Sequence, residues 1–159
     1  MNKKPSIVNE EPKPIDLIRT WEESGYSIGF TNGCFDLIHP GHISLLHCAK
    51  NECDKLVVGL NSDSSVAKLK GKDRPIQKEN ARATVLLALK DVDVVIIFNE
   101  ETPIKLIELI KPDVLIKGGD YKIDEIVGAE FIQQNGGRVV LSDYKKGHST
   151  SDIIKKIES

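Results

Sequence analysis

The sequence lacks any apolar run long enough to cross a membrane and any cysteine pattern typical of a disulfide or zinc framework. Apolar runs such as Val94–Phe98 have the length of a strand, whereas a membrane span needs about 18 residues. The three cysteines are odd in number and form no CxxC pair. The basic N-terminus lacks the apolar segment of a secretory signal. We therefore expect a cytoplasmic protein with no membrane partner.

An excess of charge of one sign is also lacking. The 159 residues carry 22 basic and 24 acidic side chains, a net charge of −2, so the chain has no basic footprint for nucleic acid. Its length corresponds to about one domain, and its 40% hydrophobic and 29% charged composition is that of a globular protein. The first residues, rich in Lys, Pro and Glu, have little to bury. We expect a flexible arm over residues 1–13 and a single domain over residues 14–159.

Strand-sized apolar runs alternate with segments of helical period after a first helix that ends near Gly25. The predicted strands are 27–31, 55–60, 93–98, 114–117 and 138–142. The helices after the first strand are expected at 41–50, 79–90, 103–110, 124–134 and beyond 149. This order predicts βαβ units, and hence an α/β, Rossmann-like fold with a parallel five-stranded sheet and helices on both faces. Such sheets bind ligands at the C-terminal ends of their strands, here 31–42, 61–74, 117–121 and 142–151.

The segment 31–42, Thr-Asn-Gly-Cys-Phe-Asp-Leu-Ile-His-Pro-Gly-His, runs from a predicted strand into a predicted helix. Gly33 permits a tight turn and the helix begins near Gly41, a geometry in which backbone N–H groups and the helix dipole receive an anion. The segment is neither a Walker P-loop nor a GxGxxG motif. His39 and His42 could donate hydrogen bonds to phosphate and stabilise charge at phosphorus. For an arbitrary HxGH, His39 capping the turn and His42 packing is an equal alternative; the strand–turn–helix context favours phosphate.

A basic stretch follows residues 61–63, which come directly after the second predicted strand. Its four cations alternate along the chain: Lys68, Lys70, Lys72 and Arg74. We expect a mobile loop that neutralises phosphate groups and closes over them on binding. An ordinary solvated loop is the alternative.

Three further segments could contact an anion. Arg82 lies in the first turn of a predicted helix, where a cation opposes the helix dipole, so a bound anion would account for it; a surface arginine is the alternative. Segment 117–121, Lys-Gly-Gly-Asp-Tyr, follows a strand, and its glycines let a ligand approach the backbone. Segment 147–152, Gly-His-Ser-Thr-Ser-Asp, is either a plain helix cap or a phosphate seat.

Together these motifs resemble those of the nucleotidyltransferases of the cytidylyltransferase-like superfamily, whose signature is HxGH after a strand. Five segments resemble in sequence the motifs of the D-glycero-β-D-manno-heptose 1-phosphate adenylyltransferases: 30–36, 58–63, 70–75, 117–121 and 149–150. In many bacteria that activity is the C-terminal half of a bifunctional protein with a sugar kinase. No kinase half is present in these 159 residues, so the resemblance implies the stand-alone form.

The resemblance implies transfer of AMP from ATP to heptose 1-phosphate, giving ADP-heptose and pyrophosphate, with Mg²⁺, for lipopolysaccharide or a related glycan. A sugar phosphate oxygen would attack the α-phosphorus in line, without a covalent enzyme intermediate. The partners would be these small molecules and further copies of the chain, in a homodimer or higher homo-oligomer. Glycerol-3-phosphate cytidylyltransferase and FAD synthetase are alternatives on the same fold. A non-catalytic nucleotide-binding domain is an alternative of a different class.

By motif position, the resemblance assigns catalysis to His39, His42, Lys70 and Arg82. The residues it assigns to nucleotide binding are Thr31, Asn32, Gly33, Cys34, Phe35, Gly41, Arg74, Lys117, Gly118, Ser149, Thr150 and Ser151. The residues it assigns to the second substrate are Asp36, Asn61, Asp63, Lys72, Asp120 and Tyr121. It assigns no side chain to the metal, which would be held through the phosphates.

Two positions depart from the family pattern. Pro40 stands where the family more often has a small residue, and we expect it to stiffen the turn. Ser151 stands where the family commonly has threonine, and it keeps the hydroxyl group. His148, in the same motif as Ser151, could contact the nucleotide base.

Overall fold

The computed structural model describes residues 13–119, 121–143 and 147–159. The predicted arm lies outside the described residues except for Lys13, and so does Asp120. The elements in chain order are α1 (Pro14–Glu23), β1 (Ile28–Gly33), α2 (Pro40–Asn51), β2 (Lys55–Asn61), α3 (Asp63–Lys70), α4 (Glu79–Leu87), β3 (Val94–Phe98), α5 (Ile104–Ile110), β4 (Val114–Gly118), a 3₁₀ turn (Ile123–Glu125), α6 (Ala129–Gln134), β5 (Arg138–Ser142) and α7 (Thr150–Glu158).

The five strands form one parallel sheet in the order β3-β2-β1-β4-β5. This confirms the predicted α/β architecture. From β1 the chain builds outward first through β2 and β3, and then returns to add β4 on the other side of β1. The strand order therefore reverses at β1, and in such sheets the crevice beyond the C-terminal strand ends at this point receives the ligand.

Each face of the sheet packs into a core of its own, and β2, β3, β4 and β5 contribute to both cores because successive side chains point to opposite faces. Val57 and Leu115 belong to a core formed with α1, α5 and α6, whereas Val58 and Ile116 belong to a second core formed with α2 and α4. Strands covered on both faces read as continuous apolar runs, as β2, β3 and β4 largely do, whereas β5, an edge strand, exposes Arg138 and Leu141. No helix within the described residues combines the length and apolarity needed to cross a membrane.

One predicted loop contains a helix. Residues 63–70, for which no helix is predicted, form α3, so Lys68 and Lys70 of the predicted basic loop lie in its last turn. The Ser62 hydroxyl caps this helix by accepting a hydrogen bond from Ser65 N at 3.2 Å. The helix ends at Gly71, which adopts φ +107°, a conformation that favours glycine.

Two predicted helices begin later than expected. The first intrahelical bond of α5 runs from Ile107 N to Pro103 O at 2.9 Å, so Pro103 is the N-cap rather than the first helical residue. The helix predicted at 124–134 divides at Gly128, which has φ +87°. A Cβ atom there would lie 2.7 Å from Ile107 Cδ1, so close packing on α5 also requires glycine.

Candidate active site

A cavity of about 640 Å³ opens at the C-terminal edge of the sheet, within the size range of small-molecule sites. Its wall contains most of the residues predicted for the site: Asn32, Gly33, Cys34, Phe35, Asp36, His39, His42, Asn61, Lys70, Arg74, Lys117, Tyr121, Ser149, Thr150 and Ser151. A side cavity of about 180 Å³ shares part of this wall and adds Gly118. Motifs from five separate stretches of the chain are thus brought to one place.

His39 and His42 form the centre of this wall at the start of α2. His39 is the N-cap, and its Nδ1 accepts a hydrogen bond from Gly41 N at 3.1 Å. His42 Nδ1 accepts one from His39 N at 3.3 Å, which completes a reciprocal capping box. His39 therefore does cap the helix, as the alternative interpretation had it, but both rings also line the cavity.

The capping box determines which ring nitrogen carries the proton. A neutral imidazole has one donor and one acceptor nitrogen, and in both rings Nδ1 is the acceptor, so the proton lies on Nε2. Burial, and then the nearby His39, lower the pKa of His42 to about 4, although the Leu37 carbonyl acts in the opposite direction. Burial, and then His148, also lower the pKa of His39. At neutral pH both rings are therefore neutral donors through Nε2.

The turn between β1 and α2 is held by Phe35, a buried non-glycine residue at φ +44°. Its ring lies above Gly33, where a Cβ atom would be 3.0 Å from Phe35 Cε2. The ring also contacts His42, with 5.0 Å between the ring centroids. A side chain at Gly33 would crowd the Phe35 ring, and this ring supports the His42 ring from within the core.

Asp36 is bound by the protein itself. Its carboxylate accepts hydrogen bonds from Arg74 Nε at 2.9 Å, Ile76 N at 2.7 Å and Gln77 N at 2.9 Å. Burial alone would raise the pKa of Asp36, but these donors outweigh it and the pKa is lowered. Asp36 lines the cavity, but its main role in this structure is to hold the residues after α3 against the turn after β1.

Arg82 corrects the prediction most clearly. Its side chain is 0% exposed and does not line the cavity. Its guanidinium donates to the carbonyl oxygens of Gln77, Cys34 and Asn61 and to the Asp63 carboxylate, at 2.7–2.9 Å. It therefore clamps the ends of β1 and β2 to α3 and α4 instead of lying free for a phosphate.

Asp63 and Lys72 are also not brought to the cavity wall. The Asp63 carboxylate pairs with Arg82 at 2.9 Å and lies 4.0 Å from Lys78 Nζ, so it is part of the same clamp. Lys72 is exposed beyond α3. The predicted substrate contact of Asp120 lies outside the described residues.

Thr31 and Gly41 support the wall without lining it. Thr31 is fully buried in β1, and its hydroxyl makes no hydrogen bond with the described residues. Gly41 lies below the His39 ring, and a Cβ atom there would be 2.9 Å from His39 Cε1. Only glycine leaves room for the ring in its capping position.

Three cations among the described residues line the cavity: Lys70, Arg74 and Lys117. Lys117, at the end of β4, makes no ion pair with the described residues, and its Nζ lies 5.8 Å from the ring centroid of Tyr121. Burial lowers the pKa of Lys117, with Cys34 acting in the opposite direction. A part-buried cation that no described carboxylate pairs with is a suitable binding site for an anion.

The start of α7 is attached to the turn between β1 and α2. Ser149 caps α7 by accepting a hydrogen bond from Asp152 N at 3.0 Å, and Thr150 Oγ1 donates to Leu37 O at 3.2 Å. His148 lines the cavity, and its Cβ lies 3.6 Å from the Cβ position of Gly41. The two helix starts, of α2 and α7, therefore face one cavity.

Sequence reasoning missed several residues of the wall. These are Leu69, Glu101, Thr102, Pro103, Leu115, Glu125, Ile126 and Val127. Glu101 and Thr102 follow β3, so the rule that ligands bind beyond strand ends could have found them. The apolar residues carry no signal of their own, because they read as core. Within the described residues, no group of three or more His, Cys, Asp or Glu side chains is placed to hold a metal ion.

The protein family described as cytidylyltransferase-like matches this chain over residues 30–156. The bifunctional protein HldE of Paramagnetospirillum magneticum is 56% identical over 142 residues, which cover 89% of this chain and 29% of that protein. The bifunctional protein HldE of Caulobacter vibrioides is 52% identical over 143 residues, covering 90% of this chain and 30% of that protein. The chain thus spans less than a third of the length of these relatives.

Two solved structures share the fold. A lipopolysaccharide core biosynthesis protein from Thermoplasma volcanium superposes with a TM-score of 0.60 at 31% identity, over 78% of this chain and 100% of that one. A pantoate-beta-alanine ligase from Francisella tularensis superposes with a TM-score of 0.61 at 20% identity, over 97% of this chain and 77% of that one. The second likeness concerns the fold alone.

Proposed function

The chain belongs to the cytidylyltransferase-like family, and from this premise we propose that it transfers AMP from ATP to D-glycero-β-D-manno-heptose 1-phosphate, releasing pyrophosphate. Its relatives support a transferase. The motif resemblance supplies the adenine nucleotide and the heptose acceptor. The named lipopolysaccharide protein among the structural neighbours agrees with a role in heptose-containing glycans.

The observation that carries the proposal is the pair of neutral imidazoles on the cavity wall. Because both Nδ1 atoms accept backbone hydrogen bonds, each ring presents Nε2–H as a fixed donor. Fixed donors aimed at developing charge stabilise a transition state without rearranging during the reaction. The triphosphate would lie between the starts of α2 and α7, with its α-phosphorus next to His39 and His42.

The proposed reaction needs positioning and charge stabilisation more than proton transfer. A phosphate oxygen of the acceptor, already deprotonated at neutral pH, attacks the α-phosphorus. The bond between the α-phosphorus and the oxygen that bridges the α- and β-phosphorus atoms breaks. Its electron pair leaves with pyrophosphate. Lys70, Arg74 and Lys117 would neutralise the charge of the phosphates that meet in the cavity.

The donor set fits a metal that is held mainly by its substrate. Mg²⁺ prefers oxygen ligands and usually binds through substrate phosphates with few protein carboxylates, and the described residues hold no cluster of three metal ligands. When bound, Mg²⁺ would neutralise charge on the pyrophosphate leaving group. Assembly into a homodimer or higher homo-oligomer stays a prediction.

A histidine series tests the proposal. We expect His42→Ala to lower kcat about 10²- to 10³-fold while changing the ATP dissociation constant much less, because the donor acts on charge that forms in the transition state. His42→Gln, which keeps an N–H donor, should recover part of the rate. His47→Ala is the matched control, because His47 lies on the same helix, exposed and paired with Asp91 at 3.2 Å.

The series also separates an enzyme from a binding module. Equal losses in rate and in ATP affinity with His42→Ala would assign the ring to ground-state binding. ATP binding without turnover by the unchanged protein, with any acceptor, would replace the proposal with a non-catalytic nucleotide-binding domain.

A further inference from the structure

One carboxylate on the cavity wall is not explained by phosphate binding. Glu101 follows β3, is exposed and lines the cavity, and it makes no ion pair with the described residues. The neighbouring Glu100, by contrast, pairs with Lys105 at 3.7 Å, and Asp36 is held by Arg74 at 2.9 Å. A free carboxylate repels phosphate groups but accepts hydrogen bonds from hydroxyl groups. Glu101 therefore suits a neutral, hydroxyl-bearing part of a ligand.

Two further polar groups accompany Glu101 on the wall. Asn61, at the end of β2, is 3% exposed, and its amide nitrogen donates to Ser65 Oγ at 2.9 Å. This assignment of the amide leaves its oxygen as an acceptor without a partner among the described residues. Thr102, the residue after Glu101, adds an exposed hydroxyl group. The set thus combines a carboxylate, an amide oxygen and a hydroxyl.

Hydrogen bonds hold this set together. Ser65 Oγ, which receives the Asn61 amide, donates in turn to Glu100 O at 2.7 Å. Ser62 N donates to Phe98 O at 2.9 Å. The segment that carries Glu101 and Thr102 is therefore fixed beside the end of β2. A polar set fixed in this way can discriminate between ligands by the placement of their hydroxyl groups.

We propose that Asn61, Glu101 and Thr102 bind the hydroxyl groups of the acceptor and make the site selective for a polyhydroxylated sugar phosphate. Glu101 accepts hydrogen bonds from adjacent hydroxyl groups of the sugar. Lys70, at the end of the helix that begins just after Asn61, supplies a cation for phosphate groups in the same cavity. The inference rests on the proposed function and deepens it by naming the groups that select the acceptor.

The test compares Glu101→Gln and Thr102→Val with the matched control Glu100→Gln. With heptose 1-phosphate, we expect Glu101→Gln to raise the acceptor KM about 10- to 100-fold, the range for losing a hydrogen bond to a charged group. The KM for ATP should stay within about two-fold. Thr102→Val should raise the acceptor KM by a smaller factor, and Glu100→Gln should leave both constants unchanged. Methyl phosphate, which lacks the alcohol hydroxyl groups of a sugar, should inhibit the unchanged protein and the three variants equally.

Three results would overturn the inference. An unchanged acceptor KM in Glu101→Gln would remove the carboxylate from acceptor binding. A change in the Mg²⁺ requirement or in the ATP KM, with the acceptor KM unchanged, would assign Glu101 to the metal or the nucleotide. Weaker inhibition of the unchanged protein than of Glu101→Gln by methyl phosphate would place Glu101 near phosphate, because the carboxylate repels it.

Failure of the proposed function would look different. If the unchanged protein shows no turnover with heptose 1-phosphate, calorimetry measures the binding of heptose 1-phosphate and mannose 1-phosphate directly. Weaker binding by Glu101→Gln than by Glu100→Gln would support the inference without the reaction. Equal binding, or no binding by the unchanged protein, would reject it.

Discussion

The imidazole rings of His39 and His42 are stacked, with 3.7 Å between their centroids and 27° between their planes. Two positively charged rings at this distance would repel each other, so the stack is compatible with neutral rings. The capping box provides the same result by another route, because each Nδ1 accepts a backbone N–H group. Helix capping and the chemistry proposed for the site therefore depend on the same hydrogen bonds.

Because His42 is neutral in the folded protein, the free energy of unfolding should depend on pH. Its pKa is lowered from 6.5 to about 4 in the folded protein. The unfolded chain therefore takes up a proton as the pH falls through 6.5, and the folded protein does not until about 4. Stability is unaffected by this group above pH 6.5 and falls between 6.5 and 4, by on the order of 1–2 kcal/mol for a part-buried ring.

Urea unfolding at a series of pH values measures this contribution. The His42→Gln variant should show a smaller loss of unfolding free energy than the unchanged protein as the pH falls from 6.5 to 4.5. Parallel curves for the two proteins would show that His42 titrates alike in the folded and unfolded states.

The glycine of the HxGH motif should be required for activity because of the His39 ring. A Cβ atom at Gly41 would lie 2.9 Å from His39 Cε1 and 3.0 Å from Nδ1. Gly41→Ala therefore has to displace the ring and break the stack with His42. Since small displacements of catalytic groups cost up to about 10²-fold in rate, we expect kcat to fall at least 10-fold. Steady-state kinetics measures it.

Pro40 provides the neighbouring control. It is exposed and occupies the first helical position. Proline favours the helix there, because the N–H group that it lacks would have no partner within the helix. Pro40→Ala should keep more than about half of the activity and lower the melting temperature slightly. If Gly41→Ala were as active as Pro40→Ala, the position of the His39 ring would not matter for the reaction.

Substitution of Arg82 should lower the stability of the fold, and activity should fall because of that loss of stability. Its guanidinium makes four hydrogen bonds from a fully buried position, and a lysine there would leave carbonyl groups and the Asp63 carboxylate without partners. We expect Arg82→Lys to lower the free energy of unfolding by about 3–5 kcal/mol, measured by urea denaturation at 10 °C and 25 °C. A variant with unchanged stability and lost turnover would instead return Arg82 to the catalytic role that its motif suggested.

The sheet could be predicted because most of its strands are covered on both faces. Runs such as Val94–Phe98 are apolar without interruption, and the predicted strand bounds differ from the structure by at most two residues. Helix α3 was missed because Asp63–Lys70 contains only three apolar residues among Ser, Lys and Asp. Its N-cap, Ser62, lies among the residues after the strand end for which the sequence pattern predicts no helix.

The site could be predicted where motifs follow strand ends, and not where the role depends on burial. His39 and His42 lie on the cavity wall, at the strand end where the strand–turn–helix pattern and HxGH together predict a site. It could not show that Arg82 points into the core, because a buried clamp and a phosphate ligand use the same residue type. Glu101 was missed because a single glutamate after a strand is indistinguishable from a solvated one until its neighbours are known.

The most direct test of the central proposal is pyrophosphate release by the purified protein with Mg²⁺. ATP, CTP and GTP are each combined with heptose 1-phosphate or glycerol 3-phosphate, and His42→Ala serves as the control for contaminating activity. The account predicts release with ATP and the β-anomer of heptose 1-phosphate alone, and at least 10²-fold less with the variant. Release with CTP and glycerol 3-phosphate alone would contradict the proposed substrates. Release that His42→Ala does not reduce would contradict the proposed role of His42 in the reaction.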